Sequence, residues 1–115
     1  MKNDNIPADH WTEFFDQLNH DRTGWLATIQ VLHARYGPQN IAVDLPFEGI
    51  SFDTKGSRAS SIEISAGSNP ERHVNHVVDL PLHIRQTRES DSSIDVQIEP
   101  ASGPVTLIHL AAPVQ

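Results

Sequence analysis

The chain has 115 residues and no cysteine, so it has room for one domain, and disulfide bonds, thiol catalysis and thiolate zinc sites are excluded. Fifteen acidic residues against eight basic ones give a formal charge of −7, which is spread along the chain. Since nucleic-acid binding depends on clustered cations, we expect no nucleic-acid partner.

Hydropathy argues against a membrane protein. A membrane span requires roughly eighteen or more consecutive apolar residues, and the sequence contains no such run. The first residues carry no apolar stretch behind a basic leader, so no secretory signal is predicted. We therefore expect a cytoplasmic protein without a membrane partner.

The first periodic stretch predicts a helix over residues 9–21, preceded by an extended arm over residues 1–8. Asp9 is the predicted N-cap, because its carboxylate can accept from the free amides of the first turn. Four apolar residues follow at the i, i+3, i+4 and i+7 positions that share one helical face. These residues are Trp11, Phe14, Phe15 and Leu18. The pattern predicts a helix that packs on the core of its own domain.

The same aromatic stripe leaves an alternative open. Trp11 and Phe15, together with Trp25 at the start of the next element, can also enclose a ligand pocket under the helix. A core assignment requires these rings to fill the space between helix and sheet, whereas a pocket requires a gap.

Residues 24–112 alternate between apolar and polar side chains, with Gly, Pro, Asn and Ser at the breaks. The spacing predicts six to seven strands in a strongly bent antiparallel meander or a small barrel. No second helical stretch is present in this range, which argues against parallel βαβ units. We expect one mainly β domain over residues 1–115, with its helix packed on the sheet.

The tetrapeptide Val-Asp-Leu-Pro occurs twice, at residues 43–46 and 78–81. Because proline lacks an amide donor, each copy predicts a corner in the sheet. Apolar and polar residues also alternate over residues 73–86, and this pattern predicts one long curled strand there. Gly49 follows the first corner and is expected to adopt a positive φ.

Histidine is abundant, and imidazole is a common transition-metal ligand. The weak candidates for a metal site are His73, His76, His83 and His109. Strand alternation places His76 on the opposite face from His73 and His83, and an extended strand separates these side chains too far for one ion. Only a bulge near Asn75 or a fold-back at the second corner brings them together, so we predict neither a metal site nor a cofactor.

No motif of a known catalytic chemistry is present. The sequence lacks the Gly-x-Ser-x-Gly elbow and the glycine-rich phosphate loops. Asp44 and Glu48 form a conceivable acid and base pair, but a carboxylate beside a proline corner more commonly accepts from backbone amides. We predict that the protein is not an enzyme.

Several segments together resemble a known family. These segments are Trp11 with the pair Phe14-Phe15, Gly24-Trp-Leu26, Leu45-Pro-Phe-Glu-Gly-Ile50 and His73-x-x-His76. Together they are similar to a bacterial family of short proteins classified as a domain of unknown function. The resemblance covers nearly the whole chain. It implies a bacterial cytoplasmic protein and transfers no site residue.

Two functions from different classes follow from these observations. The preferred one is a small interaction module that forms a homodimer or binds a protein partner through a sheet edge or its apolar C-terminal strand. That strand is apolar on both faces, and the predicted interface residues are Val105, Leu107, Ile108 and Leu110. The alternative is a small-molecule or metal-binding β-barrel module with its pocket under the helix.

Overall fold

The computed structural model describes residues 2–53 and 60–113, which form one α-helix and eight β-strands. The helix α1 spans Trp11–Arg22 and follows a short 3-10 helix at Ala8–His10. The strands are β1 Lys2–Ile6, β2 Leu26–His33, β3 Gly37–Asp53, β4 Ser61–Asn69, β5 Arg72–Asp79, β6 Pro81–Ser90, β7 Ser93–Pro100 and β8 Val105–Ala111. The predicted fold class, mainly β with one N-terminal helix, is confirmed.

All pairs of neighbouring strands are antiparallel, and the strand order is β1-β6-β7-β8-β2-β3-β4-β5. Within the described residues β1 and β5 are the two edges, so the sheet does not close. Of the two predicted arrangements, the bent open sheet is therefore confirmed and the small barrel is not, and the predicted six to seven strands are eight. The extra strand is β1, which lies in the predicted N-terminal arm and pairs with β6.

The sheet folds over on itself along β3, its longest strand. Residues Gly37–Pro46 of this strand pair with β2, and Phe47–Asp53 pair with β4. The inner faces of the two halves enclose the core, which is dominated by aliphatic side chains. Its fully enclosed members include Ile29, Ile62, Ile64, Val96, Ile98, Ile108 and Leu110.

Helix α1 packs its aromatic stripe on this core. Trp11, Phe15 and Leu18 are 4%, 1% and 4% exposed, while Phe14 is half-buried at the flank. The predicted helix exists, but its predicted cap is wrong. Asp9 lies within the 3-10 helix, His10 occupies the N-cap position, and no side chain caps the helix.

The two Val-Asp-Leu-Pro segments differ in geometry. In the first, Asp44 has φ 52° and β3 continues through irregular pairing with β2. In the second, Leu80 has φ 54° and ends β5, after which Pro81 begins β6 on the far side of the sheet. The prediction of one strand over residues 73–86 is wrong, because the chain turns at Leu80. The Leu80 N–H donates to the Ser60 carbonyl at 2.9 Å, and this hydrogen bond anchors the corner.

The glycine that matters for packing is Gly67 rather than Gly49. Gly49 does not have the positive φ predicted for it, and a Cβ there would lie 3.5 Å from Asn19 Oδ1 in ordinary contact. A Cβ on Gly67 would lie only 2.5 Å from the carbonyl oxygen of Arg72 and 2.7 Å from His73 Cα. The pairing of β4 with β5 at Gly67 therefore requires glycine, because the two backbones approach closely there.

Candidate functional site

The four candidate histidines lie in separate environments. On the outer face of β5, His73 places Nε2 2.6 Å from Glu48 Oε1, and on β8 His109 places Nδ1 2.5 Å from Asp95 Oδ1. His83 is exposed on β6. No group of three or more His, Asp or Glu side chains in residues 2–53 and 60–113 is arranged to hold a metal ion. The structure thus keeps these imidazoles apart, and it pairs His73 and His109 with one carboxylate each.

His76 is the exception because it points inward. Its Nε2 lies 3.0 Å from the hydroxyl Oγ1 of Thr106, which is 2% exposed and belongs to β8 in the opposite half of the folded sheet. Burial of the ring lowers the pKa of His76 below its usual 6.5. The hydrogen bond to Thr106 gives Nε2 of the neutral imidazole a partner, so this pair links β5 to β8.

The rings of the predicted pocket under the helix lie mainly in the core. Trp11 donates its indole N–H to the Ile6 carbonyl at 2.9 Å and contacts Phe52 edge-on at 5.1 Å. Phe15 is 1% exposed, and Trp25 is half-buried at the sheet margin. Trp11 and Phe15 therefore fill the space between helix and sheet and do not line an opening.

A cavity of about 200 Å³ exists instead at the C-terminal flank of α1, between the helix and strands β6 and β7. Three apolar side chains, Phe14, Leu18 and Ile94, form one part of its wall. Five polar side chains form the rest, namely Gln17, Asp21, Arg22, Gln86 and Arg88. We call this space the arginine cavity.

Two side chains that line the arginine cavity each carry one polar atom that has almost no accessible surface and therefore does not face the open space. Arg22 Nε and Gln86 Oε1 are both buried, and neither has a hydrogen-bond partner among the described residues. The guanidinium of Arg22 lies 4.7 Å above the Trp25 ring. Burial lowers the pKa of Arg22, the charge of Arg88 lowers it further, and Asp21 opposes both effects. Arg22 is thus stabilised by the Trp25 ring and the Asp21 carboxylate, and its charged form is opposed by burial and by the charge of Arg88.

The counter-charge available from Asp21 is already shared. Its Oδ1 lies 2.9 Å from His20 Nδ1, its Oδ2 accepts from Gln17 Nε2 at 2.8 Å, and Arg22 Nη1 is 3.8 Å away. These contacts lower the pKa of Asp21, with the His20 contact as the largest cause. Asp21 therefore stays ionised and places one negative charge beside the two arginines of the cavity.

Sequence reasoning missed the arginine cavity, although one signal for it was present. Arg22 lies four residues after Leu18, so it continues the apolar stripe with a charge. A cation on the buried face of a helix needs a partner, and this is the kind of residue that marks a site. The second arginine, Arg88, lies in β6, far from Arg22 in the sequence, so no local spacing relates the two.

Of the four interface residues predicted on the C-terminal strand, the structure places two in the core. β8 lies between β7 and β2, so strands pair with it on both sides. Ile108 and Leu110 are each 1% exposed and belong to the core. Val105 and Leu107 lie half-buried on the outer face. The assignment of Ile108 and Leu110 to an interface is therefore corrected, because a central strand has no free backbone groups to pair.

The sheet edges differ in chemistry. The described side chains of β1 are polar apart from Ile6. At the other edge Val77 of β5 is 50% exposed, and the corner that follows exposes Leu80 by 46% and Leu82 by 54%. We call Val77, Leu80 and Leu82 the β5 apolar patch. An edge strand with unpaired backbone groups, next to exposed aliphatic side chains, is a common site of strand pairing between chains.

Comparison with known proteins places the chain in a family. A family model described as a family of unknown function (DUF5335) matches residues 2–115. The chain belongs to this DUF5335 family. No curated protein and no solved structure matches it. The DUF5335 match covers both the β5 edge and the arginine cavity, and assigns a role to neither.

No helix in the described part of this DUF5335 chain is long and apolar enough to cross a membrane.

Proposed function

We propose that this protein is a small non-enzymatic interaction module of the cytoplasm that self-associates through its β5 edge. In the proposed dimer, β5 of one copy pairs antiparallel with β5 of a second copy. The observation that carries the proposal is the open edge of β5 beside the β5 apolar patch.

Backbone chemistry supports the choice of an edge strand. Each residue on the free side of β5 presents an N–H or a C=O group that β4 does not use. A second β5 strand satisfies these groups in a continuous sheet, and it covers aliphatic side chains that otherwise face water. The same pairing at the polar β1 edge would bury less apolar surface, because no exposed apolar patch lies beside that edge in the described residues.

Charge complementarity supports a second copy as the occupant. β5 begins with Arg72 and ends with Asp79, and both side chains are exposed. Antiparallel pairing about a two-fold axis brings the Arg72 end of one strand to the Asp79 end of the other. At each end of the interface, opposite charges therefore attract each other. A parallel arrangement of the two strands lacks this pairing of opposite charges.

The test is sedimentation equilibrium of the wild-type protein beside the substitutions Val77→Lys and Val43→Lys. Both valines are 50% exposed, but Val43 lies in β3, away from the edges. Val77 is opposite Glu63 in the β4–β5 pairing, so the new lysine has a carboxylate neighbour within its own chain and the fold is retained.

We expect the wild type and Val43→Lys to dimerise with equal affinity and Val77→Lys to remain monomeric, because a charge on an edge strand opposes pairing. A wild-type protein that is monomeric at every concentration contradicts the proposal. Equal dimerisation of all three proteins also contradicts it.

A further inference from the structure

The edge strand β5 carries a histidine that faces the interior of the folded sheet. His76 lies directly opposite Ile64 of β4, and its Nε2 is 3.0 Å from Thr106 Oγ1 on β8. The ring is half-buried, and burial lowers the pKa of His76 below its usual value. The position that β5 has in the structure therefore favours the neutral imidazole.

The surroundings of His76 are mainly uncharged. His76 lines a cavity of about 170 Å³, whose other walls come from β2, from β8 and from the connection between β7 and β8. The neighbours on these elements include Val31, Ser102, Pro104 and Thr106, none of which carries a charge. Asp79 is the charged side chain among the described residues that line this cavity. A protonated His76 thus has one carboxylate, and no cation, beside the same space.

The Asp79 carboxylate also belongs to the proposed dimer interface. Asp79 is exposed at the end of β5, and antiparallel pairing brings the Arg72 end of a second copy to it. Inside the dimer, Asp79 therefore faces a cation of the second copy, which makes it a weaker counter-charge for a protonated His76.

An edge strand and a paired strand respond differently to protonation. As an edge, β5 is hydrogen-bonded only to β4, so it can move away from β8 and expose a charged His76 ring to water. In the proposed dimer, hydrogen bonds hold β5 on both sides, so the ring stays beside Thr106 and its charge stays buried. Because linkage is reciprocal, proton binding by His76 and pairing of the two β5 strands oppose each other.

We propose that protonation of His76 releases the β5 edge, so that the dimer dissociates in mild acid. This regulation rests on the proposed function, because it acts on the same edge. Above about pH 6.5 the ring is neutral in both states, and the affinity does not change with pH. Below that value each dissociating copy takes up a proton, so the dissociation constant of the dimer rises as the pH falls.

Sedimentation equilibrium of the full-length protein at pH 8 and pH 5 measures the two dissociation constants. We expect the wild-type constant to be at least about tenfold larger at pH 5, because both copies bind a proton on dissociation. His76→Gln keeps an amide that can hydrogen-bond to Thr106 but cannot become charged, so its two constants should be about equal. His73→Gln removes the other histidine of β5, which lies on the outer face beside Glu48, and should keep the wild-type ratio.

Circular dichroism at pH 5 determines whether the dissociated protein keeps its sheet. Equal wild-type dissociation constants at the two pH values overturn the inference and leave the proposed function intact. The wild-type ratio in His76→Gln also overturns it, as does dissociation that is accompanied by unfolding. A wild type that is monomeric at pH 8 overturns the proposed function, and the inference with it.

Discussion

The imidazole of His76 on β5 and the hydroxyl of Thr106 on β8 meet across the interior of the folded sheet, with Nε2 3.0 Å from Oγ1. The two residues belong to opposite halves of the sheet, so their hydrogen bond links the halves directly. Burial lowers the pKa of His76. The charged form of the ring is thus disfavoured in the folded protein, and this makes stability depend on pH.

The pH dependence has a definite sign. The unfolded chain has a histidine pKa of about 6.5, and the folded chain a lower one, so between these values the unfolded state binds more protons. The contribution of His76 to the free energy of unfolding is complete above about pH 6.5 and is lost as the pH falls toward the folded-state pKa.

Urea unfolding between pH 8 and pH 5 measures this effect. Replacement of His76 by Gln should reduce the fall in stability over that range relative to the wild type. His10→Gln is the control, because His10 is exposed at the start of the helix. An unchanged pH profile in His76→Gln would show that the buried imidazole is not the source.

The packing of α1 predicts that two adjacent phenylalanines contribute very differently to the free energy of unfolding. Phe15→Ala should lower the free energy of unfolding by about 3–5 kcal/mol, because Phe15 is 1% exposed and its removal leaves a cavity. Phe14 is half-buried at the flank, and Phe14→Ala should cost about 1–2 kcal/mol. Denaturant unfolding of both variants measures the difference. Equal losses would contradict the packing described for α1.

Asn19 holds the helix against the sheet through its side-chain amide. Its Nδ2 donates to the Ile50 carbonyl at 2.9 Å, and its Oδ1 accepts from the Ile50 N–H at 2.8 Å. Asn19→Ala should cost about 2–4 kcal/mol, because both backbone groups lose their partner. Asp16→Ala, an exposed change on the same helix, is the control and should change the stability far less. A similar effect of the two substitutions would show that the Ile50 contact contributes nothing.

Two glycines, Gly67 and Gly49, provide a matched test of how closely the backbones of β4 and β5 approach each other. Gly67→Ala should destabilise the protein by about 1–3 kcal/mol or more, because the new methyl group would overlap the backbone of Arg72 and His73. Gly49→Ala should be tolerated, since its methyl group meets Asn19 Oδ1 at an ordinary distance of 3.5 Å. Thermal unfolding compares the two variants, and the reverse order of stability would contradict the close pairing of β4 with β5 at Gly67.

Local periodicity accounts for what the sequence predicts well. The spacing of Trp11, Phe15 and Leu18 predicts a helical face because neighbours on a helix are set by sequence separation alone. The alternation in β7 likewise predicts which side chains face the core, and Ile94, Val96 and Ile98 are buried there.

Non-local pairing accounts for what the sequence does not predict. An apolar stretch such as β8 fits a central strand and a subunit contact equally well, and only the pairing with both β7 and β2 decides between them. The corner at Leu80 depends on a left-handed φ that leucine rarely adopts, so residue type gives no sign of it. The arginine cavity joins α1 to β6, and no local pattern relates Arg22 to Arg88.

The measurement that tests the central claim most directly is the concentration dependence of the backbone amide chemical shifts. Self-association through the β5 edge predicts shifts that change with protein concentration at Arg72–Asp79 and at the β5 apolar patch, while β1 and the outer face of β8 stay constant. Changes at β1 or β8 without changes at β5, or no dependence on concentration anywhere, would contradict the account.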